Sequence, residues 1–195
     1  MTRFIGLTGS TGAGKSSVLE ILERLGAATI SSDAVVHEQL TTGELRDLLI
    51  DRWGAEVAPG GEVDRSKIAA IVFRDPDELA WLESELHPRV GARVARWREG
   101  IDPGVALAVN EVPLLFEAGM EGAFDAVLCV TAPLELRAER ASGRGLEELE
   151  GRDGRQLTES EKAARSDFVV ANDGSLEDLE AKLDALLPEL KSAGR

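Results

Sequence analysis

Residues 9 to 16 read Gly-Ser-Thr-Gly-Ala-Gly-Lys-Ser, a spacing suited to holding a chain of phosphates. Glycines here let main-chain amides approach a ligand with no Cβ in the way. A helix starting just after them adds the positive end of its dipole. Lys15 then reaches toward the outer phosphates, and the Ser16 hydroxyl is placed to ligate Mg²⁺. The candidate nucleotide-binding residues are therefore Gly12, Ala13, Gly14, Lys15, Ser16 and Ser17. The chemistry they imply is binding of a nucleoside triphosphate.

Such a loop works only between a strand and a helix, and the flanking sequence supplies both. The apolar run Phe4 to Leu7 precedes it, and Val18, Ile21, Leu22 and Leu25 follow at helical spacing. Further short apolar runs occur at Ala28 to Ile30, Val105 to Val109, Ala126 to Val130 and Phe168 to Ala171. Short apolar runs separated by helical stretches predict a parallel sheet covered on both faces. The fold class read from this is α/β: a phosphate-loop NTPase architecture of three layers with a five-stranded parallel sheet. Its core takes in about residues 1–33, 101–133 and 166–195 of one domain. Residues 34–100 are expected to form a helical insertion that binds the acceptor, and 134–165 a lid. Within the insertion, Asp75-Pro76 with Glu78 reads as a capping box with proline at the first helical position. His87-Pro88 reads as the opening of a further helix, with Val90, Val94, Trp97 and Ile101 along one side. The last helix starts at Ser175, capped with Asp178, and packs Leu179, Leu183, Leu186 and Leu190 against the sheet.

Composition bounds the partners. The chain has 195 residues, 43% of them hydrophobic and 30% charged, which describes an ordinary folded globule. Its formal net charge of −14 argues against nucleic acid or an anionic membrane, which select basic faces. No run approaches the length of a membrane span, and the first residues read as a strand and not as a secretory leader. The lone Cys129 sits in an apolar run and reads as a small buried hydrophobe, in keeping with a reducing cytoplasmic setting. The chain is expected to act on small molecules as a monomer or weak homo-oligomer.

A phosphate loop serves switches, motors and kinases alike. The Asn-Lys-x-Asp signature of guanine-nucleotide switches is missing from the sequence, and its Asp-x-x-Gly, Asp51 to Gly54, falls in a helix-rich stretch and not in a loop after a strand. Instead, residues 134–165 carry Arg137, Arg140, Arg144, Arg152, Arg155 and Arg165. Such a segment suits a kinase lid that supplies cations to a transferring phosphoryl group. Taken singly, each arginine other than Arg140 is better read as part of a solvated helix face paired with glutamates. Asp33, closing the second strand, is placed to take a proton from an acceptor hydroxyl, or to cap the next helix, or both. Glu111, at the end of the third strand, is placed either to hold Mg²⁺ through water or simply to add negative charge to the crevice.

Across nearly its whole length the chain resembles the dephospho-CoA kinases, which complete coenzyme A biosynthesis. The resemblance rests on Ile5-Gly6-Leu7-Thr8-Gly9 before the loop, Asp33-Ala34 with His37, and Val72-Phe73 followed by Asp75-Pro76. It continues through Leu86-His87-Pro88, Val112-Pro113-Leu114-Leu115-Phe116-Glu117, Arg140, Arg144, Gln156 and Asn172-Asp173-Gly174-Ser175. It implies transfer of the γ-phosphate of ATP, with Mg²⁺, to the ribose 3′-hydroxyl of dephospho-CoA. By the same resemblance Asp33 is the catalytic carboxylate, Lys15 the phosphate-loop lysine and Arg140 the lid arginine. Asn172 would lie near the nucleotide base, and His37, His87, Pro113, Leu114 and Glu117 would join Asp33 at the acceptor. Read without the resemblance, His87 is a helix-opening residue with its ring bonded to backbone. The chain departs from the family at Ser31 and Glu111, where aspartate is common, and in a short lid carrying Gly143, Gly145 and Gly151. Lid glycines predict mobility. Two other classes share the loop: a kinase of nucleosides or nucleoside monophosphates, and a nucleotide-binding regulator without transferase activity.

Overall fold

The computed structural model describes residues 1–140 and 156–194. Arg144, Arg152 and Arg155, the three lid glycines and the expectation of lid mobility lie outside the described residues. By contact the chain divides into two compact units, residues 1–31 with 101–195, and residues 32–100.

The first unit is a sheet of five parallel strands: β1 (Arg3–Gly9), β2 (Ala28–Ser31), β3 (Leu107–Glu111), β4 (Ala126–Thr131) and β5 (Phe168–Ala171). Their order is β2-β3-β1-β4-β5. The three inner strands are almost wholly buried, which is why their sequences read as continuous apolar runs and not as alternation. The edge strands β2 and β5 are only partly covered. Helices α1 (Lys15–Arg24) and α8 (Leu176–Ser192) pack Val18, Ile21, Leu22, Leu179, Leu183 and Leu190 against Ile5, Leu7, Leu128 and Val130. Phe4, Gly6 and Thr8 alternate to the opposite face. There Gly6 has no room for a side chain, because a Cβ would lie 2.5 Å from Leu115 and 2.9 Å from Phe124. The Ser175–Asp178 capping box at the start of α8 forms as read from sequence.

β3 lies two residues later than the apolar run suggested, ending on Asn110 and Glu111. These polar residues are buried in the strand, and hydropathy alone stops short of them. Likewise β2 ends at Ser31, so Asp33 does not close the strand. It is the second residue of a helix that follows without a loop, where a carboxylate complements the helix dipole.

The second unit is helical: α2 (Ser32–Leu40), α3 (Gly43–Trp53), two short 3₁₀ turns, α4 (Arg65–Val72) and α5 (Pro76–Glu99). Leu40, Leu45, Leu49, Val57, Ile68, Val72, Leu82 and Leu86 form its own core. His87-Pro88 opens no helix: α5 runs unbroken through Pro88 for 24 residues. Proline removes one backbone donor there, at a typical cost of about 3 kcal/mol. Burial of Leu82 and Leu86 just before it offsets this, as do the bonds from Arg89 to Glu85 (2.7 Å) and Glu44 (2.9 Å) just after. Asp75 does cap α5, through the Asp77 amide, but Glu78 does not complete a box. Its carboxylate takes bonds from Arg52 (2.9 Å) and Trp53 (2.8 Å) instead, and the Arg52 bond holds it below the ordinary carboxylate range.

Candidate active site

The phosphate loop starts where β1 ends at Gly9 and closes where α1 begins at Lys15. Gly14 caps α1 in the left-handed region (φ 97°, ψ 31°), with no side-chain cap and no acid in the first turn. The leading amides of α1 are thus left to an outside anion. Two glycines are required by their surroundings. At Gly12 (φ 77°) a Cβ would come within 2.5 Å of the Arg137 carbonyl, and at Gly14 it would collide with the Asn172 amide nitrogen.

Side chains from distant parts of the chain hold this loop. Arg137, on α6 (Leu134–Arg140), is buried and donates from Nε to the Thr11 carbonyl at 3.1 Å. Asn172, just after β5, is buried and donates from Nδ2 to the Ala13 carbonyl at 2.9 Å. Lys15 folds over the loop, with Nζ bonded to the carbonyls of Gly9 (3.0 Å) and Ser10 (3.3 Å). Arg140 reaches the same place: its guanidinium donates to the Asn172 carbonyl at 3.2 Å and to Asn172 Oδ1 at 3.5 Å. Of the residues read from sequence, the fold therefore brings Gly12, Ala13, Gly14, Lys15, Arg140 and Asn172 together. Ser16 stands exposed in the first turn of α1, followed by half-buried Ser17. The turn after β5 is itself fastened by Lys182, which bonds the Ala171 carbonyl at 2.8 Å and the Asp173 carboxylate, holding the latter below its usual range.

Glu111 ends β3 between Leu7 of β1 and Ser31 of β2, 7% exposed. Its carboxylate has no protein partner among the described residues. The next turn leaves the sheet through a bond from the Val112 amide to the Leu7 carbonyl at 2.8 Å. Here the expected acceptor residues separate. Pro113 is half-buried, its carbonyl accepting from Thr8 Oγ1 (3.1 Å) and Lys162 Nζ (2.7 Å). Leu114 points outward, 43% exposed, while Leu115 and Phe116 are buried. Glu117 turns inward: its Oε1 takes the Lys162 ammonium and the Leu157 amide, both at 3.0 Å, and its Oε2 is buried without a protein partner among the described residues.

Within the helical unit, Asp33 and His37 stand four residues apart on α2, hence on one face, and both are exposed. His87 is exposed on α5. None of the three makes a side-chain hydrogen bond or ion pair to the described residues, so the backbone-bonded His87 of a helix opening is not what forms.

Sequence reading missed Arg137 as a loop support and Lys162 altogether. Arg137 looked like one arginine among six. Lys162, on α7 (Glu159–Arg165), looked like a surface charge, yet its side chain is 2% exposed. A basic residue in a charged stretch carries no local sign that it is buried.

With this geometry in hand, comparison with known proteins is informative. A family model described as dephospho-CoA kinase matches residues 3–178. The dephospho-CoA kinase of Deinococcus radiodurans is 43% identical over 193 residues, covering 97% of this chain and 93% of the relative. That of Thermus thermophilus is 38% identical over 194 residues, with 98% and 93% covered. Among solved structures, a Thermus thermophilus protein superposes with a TM-score of 0.82 at 38% identity over 97% of this chain and 98% of its own. The dephospho-CoA kinase of Campylobacter jejuni does so with 0.72 at 25% identity, with 98% of each covered. A shikimate kinase from Aquifex aeolicus, at 15% identity and a TM-score of 0.51 with 98% and 99% covered, shares the fold.

Proposed function

Because the chain belongs to the dephospho-CoA kinase family, ATP-dependent phosphorylation of dephospho-CoA on its ribose 3′-hydroxyl is its reaction, and we propose that Lys15, Arg140 and Asp33 carry it. The observation that supports these roles most is the phosphate loop, with Asn172 bonded to it and Arg140 bonded to Asn172.

Phosphoryl transfer runs through a loose transition state, so catalysis is mainly positioning and charge stabilisation. The loop amides from Gly12 to Ser17 hold the β- and γ-phosphates. Lys15 exchanges its two carbonyl bonds for phosphate oxygens, and Arg140 adds a second cation as charge develops. The 3′-oxygen bonds to the γ-phosphorus while the bridging oxygen leaves with the β-phosphate, and the hydroxyl proton passes to Asp33. An exposed carboxylate without a protein partner suits that role. Asn172 serves the nucleotide side by fixing the loop through its bond to the Ala13 carbonyl, and its primary amide keeps a second N–H for a base lying nearby.

The donor set near the loop fits Mg²⁺. It has one exposed hydroxyl, Ser16, and one carboxylate without a protein partner, Glu111, while no group of three or more His, Cys, Asp or Glu residues gathers among the described residues. Mg²⁺ keeps several waters and is shared with substrate phosphates, so two protein donors suffice. Ser16 and Glu111 would hold the ion, which would supply positive charge to the transferring phosphoryl group. Residues 34–100 are proposed as the acceptor-binding insertion, with His37, His87, Pro113 and Leu114 contacting dephospho-CoA, and 134–165 as the lid.

No helix among the described residues is long and apolar enough to cross a membrane. A net charge of −14 and a single buried thiol support a cytoplasmic enzyme without nucleic-acid partners, working as a monomer or weak homo-oligomer. The test is turnover by the purified chain with Mg-ATP. CoA and ADP should form from dephospho-CoA, while turnover of a nucleoside monophosphate in its place would overturn the assignment. ATP binding with no product at saturating acceptor would make the chain a regulator.

A further inference from the structure

Lys162 is the most completely buried charged side chain of the sheet unit among the described residues, and the reaction assigns it nothing. Its ammonium sits between the Pro113 carbonyl (2.7 Å) and Glu117 Oε1 (3.0 Å). Glu117 Oε1 also accepts the Leu157 amide at 3.0 Å, and the Pro113 carbonyl also accepts Thr8 Oγ1 at 3.1 Å. Thr8 is the residue of β1 just before Gly9, where the phosphate loop begins. One buried ion pair therefore joins the root of the phosphate loop, the turn after β3, and the segment by which the chain returns from residues 141–155.

Burying such a pair is expensive. An apolar pair of similar volume is often as stabilising or more so, whereas loss of one partner leaves an uncompensated charge, typically costing about 3–5 kcal/mol. The pair here is not even fully satisfied, because Glu117 Oε2 is buried without a protein partner among the described residues. Stability alone is a poor reason for this arrangement. Direction is a better one: the ammonium pins a backbone carbonyl at Pro113 and a carboxylate at Glu117, the two ends of a turn whose outward residue is Leu114.

We infer that Lys162 and Glu117 form a positioning pair that sets the 113–117 turn for the acceptor, so that Glu117 acts through the turn and not by touching dephospho-CoA. This rests on the reaction proposed above. The pair bonds both ends of the 113–117 turn directly, whereas it meets the loop at second hand, through Thr8 and through Glu159 of the same helix, which lies 3.8 Å from Arg137, so the pair weighs on the acceptor more than on the nucleotide.

The test compares wild type with Lys162→Met, Lys162→Arg, Glu117→Gln and the double variant Lys162→Met/Glu117→Gln. The double variant removes both charges yet keeps an acceptor for the Leu157 amide. Melting temperature and separate KM values for ATP and dephospho-CoA are read for each. Lys162→Met and the double variant should raise the acceptor KM roughly ten- to hundred-fold, the scale of a small misplacement, with the ATP KM within about two-fold. Lys162→Arg should recover part of the loss. The double variant should melt closer to wild type than Lys162→Met without regaining acceptor affinity. Should Lys162→Met fail to fold, the double variant and Glu117→Gln decide the matter. A folded double variant with wild-type acceptor KM, or equal losses for both substrates, would overturn the inference. If wild type itself does not turn over dephospho-CoA, the reaction assignment fails and this inference falls with it; wild-type turnover with unmoved variants sinks the pair alone.

Discussion

Asn172 and Ala13, 159 residues apart in the chain, are joined by a hydrogen bond of 2.9 Å from the asparagine amide to the carbonyl at the heart of the phosphate loop. The same asparagine receives Arg140 on its backbone carbonyl at 3.2 Å, so the loop and Arg140 share one support. Asn172→Ala should leave the Ala13 carbonyl unpaired, costing about 1–3 kcal/mol of stability, and lower kcat along with it. Asn172→Asp should be worse, because it sets a carboxylate against a carbonyl oxygen. Denaturant unfolding and steady-state kinetics on both variants check the order; an alanine variant less stable than the aspartate one would contradict it.

Asp33→Asn should leave ATP affinity nearly intact and cut turnover about 10²–10⁴-fold, the usual range for a positioned base. Nucleotide titration and kcat on the same preparation separate the two effects. Unchanged turnover would remove Asp33 from proton transfer.

Lys15→Ala should depress kcat more than it weakens ATP binding, by about 10²–10³-fold if the ammonium stabilises charge that develops only during transfer. The variant also frees the Gly9 and Ser10 carbonyls that Lys15 now engages. A loss confined to nucleotide affinity would speak for ground-state binding only.

Cys129 is fully buried in β4, and that burial, with the Glu159 carboxylate adding to it, pushes its thiol from 9.0 up to about 11. The unfolded chain therefore gives up this proton at lower pH than the native one. The group's stabilising contribution is complete below about pH 9 and is lost as pH rises through about 11. Compared with Cys129→Ala, wild type should lose roughly 1–3 kcal/mol more stability across that interval, at about 1.4 kcal/mol per pH unit. Urea unfolding at intervals across that range measures the gap, and parallel curves would refute the effect. The native thiol should also resist disulfide reagents at neutral pH.

Local order along the chain was enough to read the glycine loop. A strand, three glycines, a lysine and an amphipathic helix are contiguous, and each acts on its immediate neighbours. The inner strands were legible for the same reason, being buried on both faces and so uniformly apolar. Where polar residues intrude, hydropathy stopped short: the apolar run ended at Val109, although Glu111 was placed at the end of the third strand, where β3 does end. Proline misled in the opposite direction. Pro88 looked like a helix start, but contacts of Leu82, Leu86 and Arg89 with the rest of the helical unit carry α5 straight through it.

Sequence by itself determined where the glycine loop between β1 and α1 lies, because that pattern is written in adjacent residues. Only the tertiary structure decided what steadies the grip. The strand order β2-β3-β1-β4-β5 sets β4 beside β1 and β5 next beyond it, which delivers Arg137 to Thr11, Asn172 to Ala13 and Lys162 to Pro113. Those partners lie 126, 159 and 49 residues apart, and no local pattern encodes a pairing across such separations. A buried lysine and a surface lysine look alike until the chain has closed around one of them.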